Sequence, residues 1–147
     1  LEKIKAERIF GKIMYEHKLV KEIRCPLEYG LSVFGGKWKS RILCVLSSYS
    51  SVRYSDLREQ MVNVSDTSLA LALKELIRDE LVERRQFNEV PMRVEYSLTD
   101  KGRSVIPLLR AICRWSGAYH KEMSDRAPEK CRNCDYLSSP GAGDPDF

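Results

Sequence analysis

The chain has 147 residues, 43% of them hydrophobic and 31% charged, with a formal net charge of +4. That is enough chain for one well-buried core, and the balance excludes disordered and collagen-like classes. No apolar run approaches a membrane span, and the first residues lack the basic, apolar and small order of a signal peptide. A cytoplasmic chain with no membrane partner is therefore expected. The positive charge is mild: it permits a nucleic-acid partner without requiring one, so the placement of the cations matters more than their number.

The first segment, residues 1–24, alternates charged and apolar residues at helical spacing and reads as an amphipathic helix, with Ile9, Ile13 and Val20 near one face and Phe10 and Ile23 at its edges. Cys25-Pro26 ends it, because proline disfavours helical geometry in the residue before it. Pro26 then suits the first turn of a helix "PLEYGLSVF" that stops at Gly35-Gly36. A second helix, "KWKSRILCVLSS", turns Trp38, Ile42, Leu43 and Leu46 inward. Val52-Arg53-Tyr54 is long enough only for a bridging strand, after which Ser55 is expected to cap a short helix, "DLREQM".

The stretch "VSDTSLALALKEL" follows a brief turn. Ser65 is a good N-cap and Asp66 suits the positive end of the helix dipole. Leu69, Leu73, Leu76 and Ile77 repeat at helical spacing and form a core-facing stripe. Two short helices joined by a tight turn, the second so patterned, make a helix-turn-helix candidate. "LVERRQF" and "RVEYSL" then alternate as strands around a hairpin loop at residues 88–92, the wing of a winged helix. Thr99 caps a long last helix in which Val105, Leu108, Leu109, Ile112, Trp115 and Tyr119 recur, with Pro107 expected to kink it or mark a late start. Residues 122–147 have linker composition and contain "CRNC". The fold expected is mainly α with a small β wing, its DNA-binding domain spanning residues 25–121.

The joint run of "CPLEYG", "GGKWK", "LKEL", "EVPMRVEYSLTDKG" and the tryptophan of "ICRW" resembles the HxlR-type family of winged helix-turn-helix transcription regulators over about three-quarters of the chain. The resemblance implies a homodimer that binds double-stranded DNA in response to a signal, here an unknown effector. It also implies that the N- and C-terminal helices build the dimer, through Phe10, Ile13, Val20, Leu109, Ile112 and Trp115. Glycine is expected in relatives where this chain has Glu80, at the end of the recognition helix.

Affinity would come mainly from cations reaching phosphates, with Lys37, Lys39, Arg53 and Arg93 as the candidates and Ser55 as a hydroxyl donor beside them; Arg93 lies in the wing, where it could enter the minor groove. On the recognition helix Ser65, Thr67, Ser68, Leu71, Ala72 and Lys74 are the candidates for the groove. Leu71 and Ala72 offer only apolar contact, which suits thymine methyl groups. A winged helix that binds another protein, with weak or no DNA specificity, is the alternative, and the apolar "LALAL" run is its support.

Cys25 should sit at a helix N-cap beside Arg24, a setting that favours thiolate reactivity, and the resemblance implies redox or electrophile sensing there. Cys44 and Cys113 fall in apolar stripes and are expected in the core. A lone CxxC lacks the four ligands of structural zinc, so no metal or cofactor is expected. With two histidines, neither near a cysteine in sequence, no nucleophile–base pair stands out and an enzyme is not expected.

Overall fold

The computed structural model describes residues 23–120 and Cys131. The N-terminal segment expected to be a dimerisation helix, with Phe10, Ile13 and Val20, lies outside the described residues, as does Cys134. The chain divides into two units, the first ending at Val33 and the second starting at Phe34. Among the described residues, no helix is long and apolar enough to cross a membrane.

Helix α1 (Pro26–Phe34), all but its last residue in the first unit, begins at Pro26, whose φ is preset and whose lack of an N–H costs nothing in a first turn. Cys25 stands just before it, and its carbonyl accepts the Tyr29 N–H at 3.2 Å, so this cysteine occupies the N-cap as expected. Arg24 and Glu28 clasp across the first turn, with the guanidinium 3.1 Å from the carboxylate and the Arg24 N–H bonded to it at 2.8 Å.

Near the start of the second unit lies Gly36, whose φ of +92° needs a residue without a Cβ. Four helices and a three-stranded sheet follow: α2 (Lys39–Leu46), β1 (Val52–Arg53), α3 (Tyr54–Gln60), α4 (Asp66–Arg78), β2 (Val82–Phe87), β3 (Arg93–Leu98) and α5 (Asp100–Tyr119). The sheet order is β1-β3-β2, all antiparallel, with Val52 opposite Tyr96 and Val82 opposite Leu98. Its inner face carries the alternating residues Val52, Val82, Tyr96 and Leu98, all buried.

Ile42, Leu43, Leu46, Leu57, Leu69, Leu76 and Leu81 are fully buried and form the centre of the core. Helix α2 packs against α5, α4 and β3, and α4 against β2, so the helix-turn-helix pair is fixed to the sheet that bears the wing.

Two termini of elements decide how wing and recognition helix meet. Helix α4 ends with Glu80 at φ +62°, the Leu81 N–H bonded to the Leu76 carbonyl at 2.9 Å and the Glu80 N–H to that of Ile77 at 3.0 Å. This is a Schellman ending with Leu76 and Leu81 both buried, made by a glutamate where glycine costs least. At the start of α5, the Thr99 hydroxyl accepts the Gly102 N–H at 3.0 Å and donates to the Glu80 carbonyl at 2.6 Å. A Cβ on Gly102 would lie 2.1 Å from the Leu81 carbonyl oxygen, which is why this turn of helix requires glycine.

Helix α5 starts at Asp100 and continues through Pro107, so the proline does not delay its start. It carries two apolar faces. Val105, Ile106 and Leu109 are buried, while Leu108, Ile112, Trp115 and Tyr119 are exposed along an adjoining stripe, about a quarter turn round the helix. Cys44 and Cys113, expected in the core, are half-buried.

Candidate nucleic-acid interface

Helices α3 and α4 are joined by residues 61–65, in which Met61 and Val64 turn inward and Asn63 adopts φ +64°. Asparagine tolerates that left-handed conformation better than most side chains. Ser65 is the N-cap of α4: its hydroxyl accepts the Ser68 N–H at 3.1 Å and donates to the Ser68 hydroxyl at 2.9 Å. Arg58 of α3 binds Asp66 at the first position of α4 with two nitrogens, and the Tyr54 hydroxyl donates to the same carboxylate at 3.4 Å. The Arg58 hydrogen bond, above all, holds the Asp66 carboxyl below the ordinary aspartate range. Burial, then the Asp66 charge, pushes the Tyr54 phenol up, so it stays a donor. Asp66 was expected at the positive end of this helix, but its contacts with Arg58 and Tyr54 were not: they cross from one helix to the next, where spacing along a single element gives no guide.

The outward face of α4 carries Thr67, Ala70, Leu71, Lys74 and Arg78, all exposed, with Ser68 half-buried beside them. Leu71 is 57% exposed, unusual for a leucine among the apolar residues of this helix. Ala72 was expected on this face and is not there: it is only 6% exposed. The reason is phase. Ala72 lies three residues after Leu69 and four before Leu76, so the 3.6-residue period carries it into the core stripe, whereas Leu71 rotates away from it.

The remaining cations fall in three places. Lys37 is exposed, with its ammonium 4.7 Å from the centre of the Trp38 ring. Lys39, in the first turn of α2, is largely covered and pairs with Glu75 of α4 at 3.5 Å, so its charge is shared with the recognition helix. Arg53 is exposed and extended at the N-cap of α3, and its side chain makes no cap hydrogen bond. Ser55 was expected to cap a helix starting at Asp56; the helix instead starts at Tyr54, two residues earlier, which leaves Ser55 exposed inside the first turn.

On the wing, the sheet register puts Arg53, Glu95 and Arg85 side by side on the outer face, with Arg93 and Phe87 paired further along it. Arg85 was missed in the sequence, although two-residue alternation from buried Val82 places it outward next to Glu95. Arg93, expected to reach DNA, is engaged within the wing. Its Nη2 is 3.1 Å from Glu89, its Nη1 3.7 Å from Glu95, and its guanidinium 4.0 Å from the centre of the Phe87 ring.

Among the described residues, no three histidines, cysteines or acidic residues gather closely enough to hold a metal ion. Nothing in this surface resembles a nucleophile and its base. What it offers is a helix face, a hairpin and dispersed guanidinium groups, the parts of a winged helix-turn-helix, and comparison with known proteins agrees. The family model for the HxlR-like helix-turn-helix matches residues 33–124. The chain belongs to that family of transcriptional regulators. It is 41% identical over 102 residues to the uncharacterized HTH-type transcriptional regulator YdzF of Bacillus subtilis (strain 168), covering 69% of this chain and 94% of that one. It is also 41% identical over 110 residues to an uncharacterized HTH-type transcriptional regulator of Methanothermobacter thermautotrophicus, covering 73% and 83%. Among solved structures, the oxidized form of the redox regulator HypR aligns with a TM-score of 0.61 at 33% identity, over 65% of this chain and 98% of that one. The reduced form of the transcriptional regulator YodB from B. subtilis aligns with a TM-score of 0.60 at 30% identity, over 69% and 100%.

Proposed function

We propose that the protein is a homodimeric, sequence-specific DNA-binding regulator of transcription working in the cytoplasm. Helix α4 would enter the major groove and the β2–β3 hairpin would lie along the neighbouring phosphates. The observation that carries this is the outward face of α4, where Thr67, Leu71 and Lys74 stand exposed on a helix whose other side is locked into the core. Lys37, Arg53 and Lys74 are the cations best exposed for phosphate contact, with Ser55, Ser65 and Ser68 as hydroxyl partners near helix N-termini. Lys39 would act chiefly by holding Glu75 on the recognition helix.

Leu71 and Ala70 would read thymine methyl groups, since neither can hydrogen-bond a base edge. Leu71→Gln is expected to change the preferred bases in a binding-site selection while leaving the salt dependence of binding unchanged. An unaltered preference would remove Leu71 from base reading.

The exposed α5 stripe of Leu108, Ile112, Trp115 and Tyr119 suits the same stripe of a second copy, which would set two recognition helices on successive turns of the duplex. Cys25, exposed at the N-cap of α1, is the residue through which an oxidant or electrophile would act. The likeness to HypR, which is described as a redox regulator, supports that role.

The exposure of Leu71 also favours a second reading, a winged helix that docks on another protein. A gel-shift titration over salt, with DNA from next to the protein's own gene, separates the two. Retardation that weakens steeply with salt supports DNA binding, and no retardation even in dilute buffer supports protein docking.

A further inference from the structure

We propose that Glu89 is an intramolecular competitor for the phosphate contact of the wing, holding Arg93 until DNA displaces it. The inference rests on the DNA-binding role proposed above.

Arg93 is not a free cation on the wing. Its guanidinium lies over the Phe87 ring and bridges Glu89 and Glu95, and its Nε is buried with no hydrogen-bond partner. The Arg93 guanidinium is thus shared between two carboxylates, so its charge is not freely offered to a polyanion. The two carboxylates are not equivalent. Glu95 is largely covered, accepts a hydrogen bond from the Ser51 hydroxyl at 3.1 Å, and stands between Arg53 and Arg85 in the sheet register. Glu89 sits in the loop between the strands, with its side chain about half exposed.

Glu95 and the aromatic ring therefore hold Arg93 from covered positions, while Glu89 is the more exposed of its two acidic partners. An arriving phosphate oxygen would take the place of the Glu89 carboxylate, which swings into water. An exposed ion pair of this kind is weak, so the exchange costs little, but it lowers affinity for every DNA sequence alike.

The test is a double-mutant cycle on the full chain, with affinity for a random-sequence DNA duplex measured at low salt. Glu89→Gln is expected to tighten binding by roughly threefold. The gain should vanish when Arg93 is replaced, so that the Glu89→Gln, Arg93→Gln double variant binds like Arg93→Gln alone. Weaker or unchanged binding by Glu89→Gln would overturn the proposal. So would an equal gain in both backgrounds, because Glu89 would then act only as a diffuse negative charge. Wild-type protein that binds no duplex at any salt would overturn the DNA-binding role itself, and this inference with it.

Discussion

Glu80 holds a left-handed backbone at φ +62° for the sake of the turn it closes. Its neighbours explain why the conformation persists: the Leu81 N–H reaches back to Leu76, Thr99 donates to the Glu80 carbonyl, and Leu76 and Leu81 are both buried. A side chain with a Cβ pays for that φ, whereas glycine does not. Glu80→Gly is therefore expected to stabilise the fold by about 1 kcal/mol, read as a higher urea midpoint with an unchanged slope. A lower midpoint would mean that the glutamate side chain makes a stabilising contact outweighing its backbone cost. Residue-scale features that depend on local chemistry were legible in the sequence. Ser65 and Thr99 were recognisable as caps because a hydroxyl before an apolar helix has few other reasons to be there. Ala72 and Arg93 were not so readable. The first turns on a single step of helical rotation between adjacent small and apolar residues. The second depends on partners across a loop and a strand, Glu89 and Glu95, which only the hairpin register brings to one guanidinium.

Among the elements, the joint between α3 and α4 sets the angle at which the recognition helix is presented. Arg58 and Tyr54 of α3 both hold Asp66 at the start of α4, and the carboxylate also suits the positive end of that helix. Because Asp66 is held below its ordinary range, its contribution is fully present above the unfolded value, near pH 4, and is lost as pH falls through the lowered folded value. Wild-type protein should accordingly be more stable than Asp66→Asn at neutral pH, with the difference shrinking below about pH 4. A difference that stays constant down to acid unfolding would show that the Arg58–Asp66 contact does not act through charge. The element ranges were largely visible beforehand: β3 alternates cleanly and α5 has a clear cap. The start of α3 was misplaced by two residues because Arg53, its N-cap, makes no capping hydrogen bond, while Ser55 has the right chemistry at the wrong position. The boundary between the two faces of α5 was also misread: Leu109, expected in the dimer interface with Ile112 and Trp115, is buried in the chain's own core, and in sequence it is as apolar as exposed Leu108 and Ile112.

For the whole molecule, the outer face of α5 is a row of exposed apolar side chains, with Trp115 68% exposed and its ring 5.3 Å from that of Tyr119. Water-exposed aromatics in a row usually belong to an interface. Trp115→Glu is expected to weaken self-association by roughly tenfold or more, seen as monomer at concentrations where the wild type is dimeric. DNA affinity should fall with it, because each half-site would then be bound separately.

The most direct test of a paired DNA-binding regulator is sedimentation equilibrium of the protein with a duplex taken from beside its own gene, repeated as salt is raised. Two chains per duplex in dilute buffer, dissociating steeply with added salt, is the expected result. One chain per duplex, or no complex at any salt, would contradict it.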